Sequence, residues 1–413
     1  MAIEPGGHAE PRVGRRRVFY IPGYDPIHPR RYRELYRKEA AAQAKISGHR
    51  IELRAKTTDG PYGWHVKARI EDAEVQADME VLVWSDIVRD SMGLGILATY
   101  VQLARTAWTY IASGALRRLM RLRKGPVIAA LYPVIFLIVQ MLIALLVAWG
   151  LGAILAQAHP LAGWLGLAVV PLILNWFRRK DGKFFAYYLM HDYAYSAQSK
   201  GANPPELEAR MAEFADRIAQ ALQGDSDEVL VVGHSSGAHL AVSILADLIR
   251  AGRVPGMGPT LSFLSLGQVV PMVSFLPRAD RLRADLQYLS QRQELSWVDV
   301  TAPGDGCAFA LCDPVSVSGV APETGKRWPL VLSAAFTQTL SPARWKELRW
   351  RFFRLHFQYL CAFDRPGDYD YFQITAGPMT LGARYATRQP SASRIERPVN
   401  KFTSVTAHDN VAA

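Results

Sequence analysis

A long stretch of this chain has no charge. Residues 125–177 contain no Asp, Glu, Lys or Arg, although charged residues make up 21% of the sequence. A bilayer core needs about 20 apolar residues in a helix, and the stretch holds two such segments, near 129–150 and 160–177. The polar break 157–160 separates them. The missing charge therefore predicts a transmembrane helical hairpin within 121–183. A helix pair buried in a soluble core and a re-entrant hairpin are the alternatives.

Acidic residues are also scarce beside this stretch. Basic residues cluster on both of its flanks, whereas the loop near His159 has no fixed charge: Arg117, Arg118, Arg121, Arg123 and Lys124 precede it, and Arg178, Arg179, Lys180 and Lys183 follow it. By the positive-inside rule, we expect both ends, both termini and the remaining domain to be cytoplasmic. The formal net charge of +11 then indicates anionic lipid headgroups as partners. No motif for reading nucleic-acid bases is present, so a nucleic-acid partner is not expected.

Cysteine is rare, and its pattern excludes two classes of site. An odd count of three, Cys307, Cys312 and Cys361, does not suit a disulfide framework. Cys307 and Cys312 lack the companions of a zinc site, so we expect no metal and no cofactor. The N-terminus is basic without an apolar stretch, and a cleaved signal peptide is not expected.

The chemistry-bearing motif is a G-x-S-x-G at residues 233–237, with Ser235 at its centre. The apolar, mostly β-branched residues 229–232 precede it, as in a central parallel strand. Helical spacing follows it as far as Gly252. This context predicts a sharp strand-to-helix turn that exposes the hydroxyl of Ser235.

A serine nucleophile needs a histidine base and an acid that orients the histidine. After Ser235 the chain has His239, His356 and His408. His239 follows Ser235 by one helical turn and is expected to pack inside, and His408 lies in a polar tail. His356 is therefore the predicted base. The segment 349–355 before it is compatible with a strand or with a helix.

Three aspartates compete for the role of the acid. Asp305 lies in a Gly-Asp-Gly turn after a strand, where flanking glycines suit a tight loop that directs a carboxylate inward. Asp299 within that strand and Asp313 before Pro314 are the alternatives, and each also fits a capping role. We favour Asp305, which gives the order serine, acid, histidine that is expected of this turn type.

An oxyanion formed at Ser235 would need backbone donors. The turn itself offers the N–H of Ser236. The earlier strand near 18–21 ends in Pro22-Gly23-Tyr24, and open α/β sheets bind ligands at the carboxyl ends of their strands. The N–H of Tyr24 or of Gly23 is therefore the second predicted donor.

Together, residues 233–237 in their strand–turn–helix setting, the loop 21–24, and the order of Asp305 and His356 resemble the α/β-hydrolase fold family. The resemblance covers 15–120 and 184–387 as one α/β domain, with disordered segments expected at 1–14 and 388–413. It implies a mostly parallel sheet flanked by helices, interrupted by the hairpin, and a serine esterase or lipase. The His-Gly-Gly-Gly oxyanion motif is absent.

The function expected from these features is a membrane-anchored serine hydrolase that cleaves a hydrophobic ester such as a lipid through an acyl-enzyme. The lipid assignment follows only from the neighbouring hairpin, and a water-soluble ester is the alternative. An acyltransferase with the same nucleophile and a non-catalytic membrane scaffold that retains the fold are the other hypotheses. The aromatic segment 184–198 is expected at the membrane interface or at the entrance for substrate.

Overall fold

The computed structural model describes residues 12–56, 60–93 and 95–406. These residues form an eight-stranded mixed sheet in the order β2-β3-β4-β1-β5-β6-β7-β8. The strands are β1 (Arg15–Ile21), β2 (Arg50–Ala55), β3 (Gly63–Ile70), β4 (Ala73–Val81), β5 (Glu228–His234), β6 (Thr260–Leu266), β7 (Leu295–Thr301) and β8 (Leu330–Ser333). From β4 across to β8 all neighbouring strands are parallel, and β2, β3 and β4 pair antiparallel at one edge. The expected α/β architecture with a mostly parallel sheet is confirmed.

Helices connect the strands and cover both faces of the sheet. They are α1 (Arg30–Ser47), α2 (Ser85–Ser91), α3 (Ile96–Ala112), α4 (Ala115–Leu119), α5 (Lys124–Ala156), α6 (Val169–Arg179), α7 (Asp181–Phe184), α8 (Ala186–Gln198), α9 (Pro205–Leu222), α10 (Ser236–Arg250), α11 (Val270–Ser274), α12 (Asp280–Ser290), α13 (Pro314–Val317), α14 (Phe336–Thr339), α15 (Pro342–Leu348), α16 (Phe352–His356), α17 (Tyr371–Ala376) and α18 (Leu381–Arg384). Two 3-10 helices lie at Pro160–Ala168 and Phe357–Leu360.

The central strands bury both faces because their side chains alternate between two apolar layers. In β5, Leu230 and Val232 join the layer that contains α1 and α17. Val229 and Val231 join the opposite layer, with α9, α10 and α12. A strand buried on both sides has little freedom to shift its register, so the turn at its carboxyl end is held in place.

The charge-free stretch forms an apolar helical hairpin that projects from this domain. Lys124–Ala156 and Pro160–Arg179 are both long and apolar enough to cross a membrane. Their apolar side chains are mostly exposed: Leu146, Trp149 and Trp164 are 65%, 74% and 72% exposed. The two arms pack closely through glycine, since a Cβ on Gly166 would lie 2.4 Å from the Ala148 carbonyl oxygen. A soluble core therefore does not cover this hairpin.

Several element boundaries differ from the sequence prediction. The first apolar helix runs well beyond 129–150 at both ends, because the uncharged residues 125–128 and 151–156 continue it. The second arm begins as a 3-10 helix rather than as a uniform α-helix. Before His356 the chain is helical, in α15 and α16, and the strand considered for 349–355 is not formed.

The expectation of disordered ends is wrong where the structure describes them. At the N-terminal side, Val13 is buried and its N–H donates to Pro378. In the segment 388–406, Ile395 forms an isolated bridge with Cys312, and Val399 is buried. These scattered apolar residues dock on the domain although the segment as a whole is polar. Residues 1–11 and 407–413 lie outside the described residues.

Candidate functional site

Ser235 lies on the sharp turn between β5 and α10, with φ +57° and ψ −122°. This conformation is unfavourable for a non-glycine residue. The flanking glycines make it possible: a Cβ on Gly237 would lie 2.1 Å from the Ile21 carbonyl oxygen, and one on Gly233 would lie 2.7 Å from the Ala238 Cα. The Ser235 N–H donates to Leu266 at 2.9 Å, which ties the turn to the end of β6.

The loop after β1 reaches the same place because β1 pairs directly with β5. A Cβ on Gly23 would lie 3.0 Å from the Ser235 Cβ and 3.4 Å from its Oγ. No hydrogen bond from the N–H of Gly23 or Tyr24 to another described residue is present. The N–H of Ser236, in the first turn of α10, has no acceptor within its helix. The predicted oxyanion donors are thus close to Ser235 and are not engaged elsewhere.

His356 and Asp305 form a buried pair. His356 Nδ1 donates to Asp305 Oδ2 at 2.7 Å, and the Tyr359 hydroxyl donates to the same oxygen at 3.0 Å. The other oxygen accepts the Cys307 N–H at 2.9 Å. Burial raises the pKa of Asp305, but His356 and these hydrogen bonds outweigh it and lower that pKa. Asp305 therefore remains a carboxylate that holds the imidazole with Nε2 away from it.

His356 Nε2 is buried and has no hydrogen-bond partner among the described residues. Ser235 and His356 line the same cavity. No hydrogen bond between Ser235 Oγ and His356 Nε2 is present. Such contacts are often long without substrate and tighten in the reacting complex.

Sequence reasoning missed two residues that position the histidine. His234, just before Ser235, donates from Nε2 to the His356 carbonyl at 3.0 Å, while its Nδ1 is 3.3 Å from the Tyr20 hydroxyl. Burial and then His356 lower the pKa of His234 to about 3, so this ring is neutral. Gly267 is left-handed with φ +53°, and a Cβ there would lie 3.0 Å from His356 Cε1. His234 occupies the variable position directly before Ser235 in the G-x-S-x-G motif, and this position is the signal in the sequence that could have identified it.

The two alternative acids have other roles. Asp299 accepts a hydrogen bond from Ser265 at 2.6 Å, and burial raises its pKa to about 8. Asp313 caps α13 by accepting from the N–H groups of Val315 and Ser316. His239 is buried in α10, as expected. Of the three aspartates, Asp305 is the one hydrogen-bonded to His356.

Among the described residues, one group of possible metal ligands coincides with this pair. Ligand atoms of Asp305, Cys307 and His356 lie within 4.8 Å of one another. Burial and then Asp305 raise the pKa of the Cys307 thiol well above its ordinary value. A metal needs the thiolate, so these side chains fit the hydrogen-bonded pair better than they fit a cation.

Ser235 opens into a cavity of about 440 Å³. Segment 184–198 contributes to the wall of this cavity. The lining residues include Gly23, Tyr24, Asp25, Arg31, Pro126, Asp181, Gly182, Phe185, Tyr188, Asp192, Tyr193, Ser235, Ser236, Cys307, Phe353 and His356. Pro126 belongs to α5, and Gly182 and Phe185 directly follow the second arm of the hairpin. The cavity therefore connects the serine turn with the base of the hairpin.

Comparison of the chain with protein families, with curated proteins and with solved structures yields no match.

Proposed function

We propose that this protein is a membrane-anchored serine hydrolase that cleaves a hydrophobic ester through Ser235, His356 and Asp305. The observation that carries the proposal is the buried His356–Asp305 hydrogen bond of 2.7 Å beside the strained turn of Ser235. Histidine held by a carboxylate on one nitrogen and open on the other is the arrangement that activates a serine hydroxyl. Because β1 pairs directly with β5, the loop after β1 adds backbone donors beside the same hydroxyl.

The mechanism follows from the roles of these atoms. Ser235 Oγ attacks the ester carbonyl while His356 Nε2 takes its proton. The N–H groups of Ser236 and of Gly23 or Tyr24 stabilise the oxyanion. Collapse breaks the bond to the alcohol, which leaves with the proton from His356. Water then attacks the acyl-enzyme by the same route, releases the acid and restores Ser235.

The hairpin geometry supports a substrate that comes from the membrane. The returning arm has 9 residues of 3-10 helix and 11 of α-helix, about 34 Å in length. With 33 residues, α5 extends for about 50 Å. Both arms meet at the tip of the hairpin, so the longer α5 extends beyond the returning arm at the base. The first third of α5, which includes the cavity-lining Pro126, then lies outside the bilayer on the side of the catalytic domain. The cavity mouth is then at the interface.

Aromatic and basic groups near this end fit the same placement. Trp350 is 72% exposed and lies with Pro126 around a second, smaller opening. The rings of Phe185 and Phe353 contact each other at the cavity wall, with centroids 5.2 Å apart and planes tilted by 46°. Tryptophan and phenylalanine at this level, with Arg179 and Lys180 nearby in sequence, suit the headgroup region. The catalytic domain and both termini are then cytoplasmic by the positive-inside rule.

Activity is tested by labelling detergent-solubilised protein with a fluorophosphonate probe. We expect the wild type to label and Ser235→Ala not to label. Ser236→Ala is the matched control, because it removes a hydroxyl one residue away and keeps the backbone N–H. Absence of labelling in the wild type, where a control esterase reacts, would contradict the hydrolase proposal.

Topology is tested separately with His159→Cys in cells or sealed vesicles. We expect this cysteine, at the tip of the hairpin, to react with an impermeant maleimide from the side opposite the catalytic domain. Gly182→Cys, at the base, serves as the control and is expected to react only after permeabilisation. Protection of the tip cysteine would contradict a hairpin that spans the bilayer.

A further inference from the structure

The cavity beside Ser235 contains one carboxyl group without a partner. Asp25 accepts from Tyr32 and Arg31, and Asp181 accepts from the N–H groups of Tyr187 and Tyr188 at 3.0 and 2.9 Å. Asp192, in α8, makes no hydrogen bond or ion pair with the described residues. It lines the same cavity as Ser235 and His356.

Three of the tyrosine hydroxyl groups around Asp192 are already committed, and those of Tyr193 and Ser196, which line the same cavity, form no hydrogen bond with it. The Tyr24 hydroxyl bonds to Ser91, that of Tyr188 donates to the Tyr24 carbonyl, and that of Tyr110 donates to the Met272 carbonyl at 3.0 Å. All three tyrosines line the cavity together with Asp192. Burial raises the pKa of each of them, and the negative charge of Asp192 adds to that increase. Asp192 is therefore available to a group that enters the cavity.

The surroundings of Asp192 also determine which chemical group of a ligand it binds best. Burial raises its pKa to about 7, and His356 opposes that increase. Part of the Asp192 surface remains exposed, although the residue is strongly desolvated. This exposed part therefore faces the cavity. A carboxyl group near its pKa both accepts and donates hydrogen bonds, and an unpaired polar group in an apolar site is costly. A neutral hydroxyl satisfies it fully.

We infer that Asp192 is a substrate-binding residue that selects esters bearing a hydroxyl group, as in a partial glyceride or a hydroxyacyl ester. The inference rests on the proposed function, because it assigns a substrate class to the same cavity. In the bound state, the substrate hydroxyl and the Asp192 carboxyl exchange hydrogen bonds while the ester carbonyl lies at Ser235. An ester without the hydroxyl leaves Asp192 unpaired.

The experiment compares hydrolysis of matched esters. Ethyl octanoate and its β-hydroxy derivative probe the acyl side, and propyl octanoate and octanoylglycerol probe the alcohol side; octanoylcholine tests for a cation. We expect kcat/KM to favour the hydroxyl ester of at least one pair by about tenfold. Asp192→Leu and Asp192→Ala should both reduce this preference to about that of the uncatalysed reaction.

Asp181→Asn is the matched control, since it neutralises a carboxylate in the same cavity whose oxygens are already paired; it should keep the preference. Fluorophosphonate labelling of each variant reports an intact serine turn. A preference that is unchanged in both Asp192 variants would overturn the inference while leaving the hydrolase proposal intact. A preference for octanoylcholine that depends on Asp192 would also overturn it, in favour of a cationic substrate. A wild type that hydrolyses none of the esters would instead contradict the proposed function.

Discussion

The Asp305→Asn substitution tests the core of the proposed site. Asp305 accepts three hydrogen bonds, from His356 and Tyr359 on one oxygen and from the Cys307 N–H on the other. An amide has one acceptor oxygen. If that oxygen keeps the Cys307 N–H, the amide NH₂ faces His356, and Nδ1 must become the acceptor. The imidazole proton then moves to Nε2, where it blocks transfer from Ser235.

The expected loss follows from the wrong tautomer. Replacing such an aspartate by asparagine lowers kcat by about 10⁴ in a serine protease, which corresponds to about 5 kcal/mol of transition-state stabilisation. We expect a loss of about 10³- to 10⁴-fold in kcat/KM for a p-nitrophenyl ester, with a similarly slowed rate of fluorophosphonate labelling. The substitution conserves size, so thermal unfolding should change little in comparison.

The competing aspartates provide the controls for this prediction. Asp299 bonds to Ser265 and Asp313 caps a helix, so Asp299→Asn and Asp313→Asn should retain kcat/KM within about tenfold. Retention of activity by Asp305→Asn within tenfold would refute the reasoning. So would a selective loss in Asp299→Asn or Asp313→Asn in protein that remains folded.

Two further predictions concern the turn and the cavity. Gly237→Ala should abolish labelling and lower the unfolding temperature, because its Cβ would lie 2.1 Å from the Ile21 carbonyl oxygen and overpacking costs about 1–3 kcal/mol or more; Gly256→Ala, which has open space, should do neither, and equal behaviour of the two would contradict the packing argument. Asp192→Asn should stabilise the protein at pH 8 but not at pH 4. The pKa of Asp192 is about 7 when folded against 3.8 ordinarily, so the native state binds more protons across that interval and wild-type stability falls as pH rises. The fall is at most about 4 kcal/mol, less any screening by water in the cavity; thermal unfolding in detergent at both pH values measures it, and an equal shift at both would contradict the assigned pKa.

Local patterns in the sequence were enough to predict the central strand, the serine turn and the apolar hairpin. Residues 229–232 are apolar and β-branched, and two glycines bracket Ser235, so a strand followed by a tight bend is encoded within ten residues. The charge-free stretch 125–177 is likewise self-contained, because crossing a bilayer depends on length and polarity alone. The helix α5 is longer than the predicted segment 129–150, since uncharged residues continue it on both sides.

The meeting of side chains from distant loops required the tertiary structure. Asp299, Asp305 and Asp313 all fit the acid in sequence. Only the contact between the loop after β7 and the end of α16 brings one of them, Asp305, to His356. Asp192 has no motif around it. Its unpaired state depends on where the hydroxyl groups that line the cavity point, those of Tyr24, Tyr110, Tyr188, Tyr193 and Ser196, which is a property of packing.

The sequence by itself thus determined the strand, the strained turn and the apolar hairpin, because each depends on neighbours within one element. The tertiary structure decided the acid, the helical setting of His356, the docking of the segment 388–406 and the position of Asp192 in the cavity. These depend on contacts between residues far apart in the chain, for which hydrophobic period and turn chemistry carry no information.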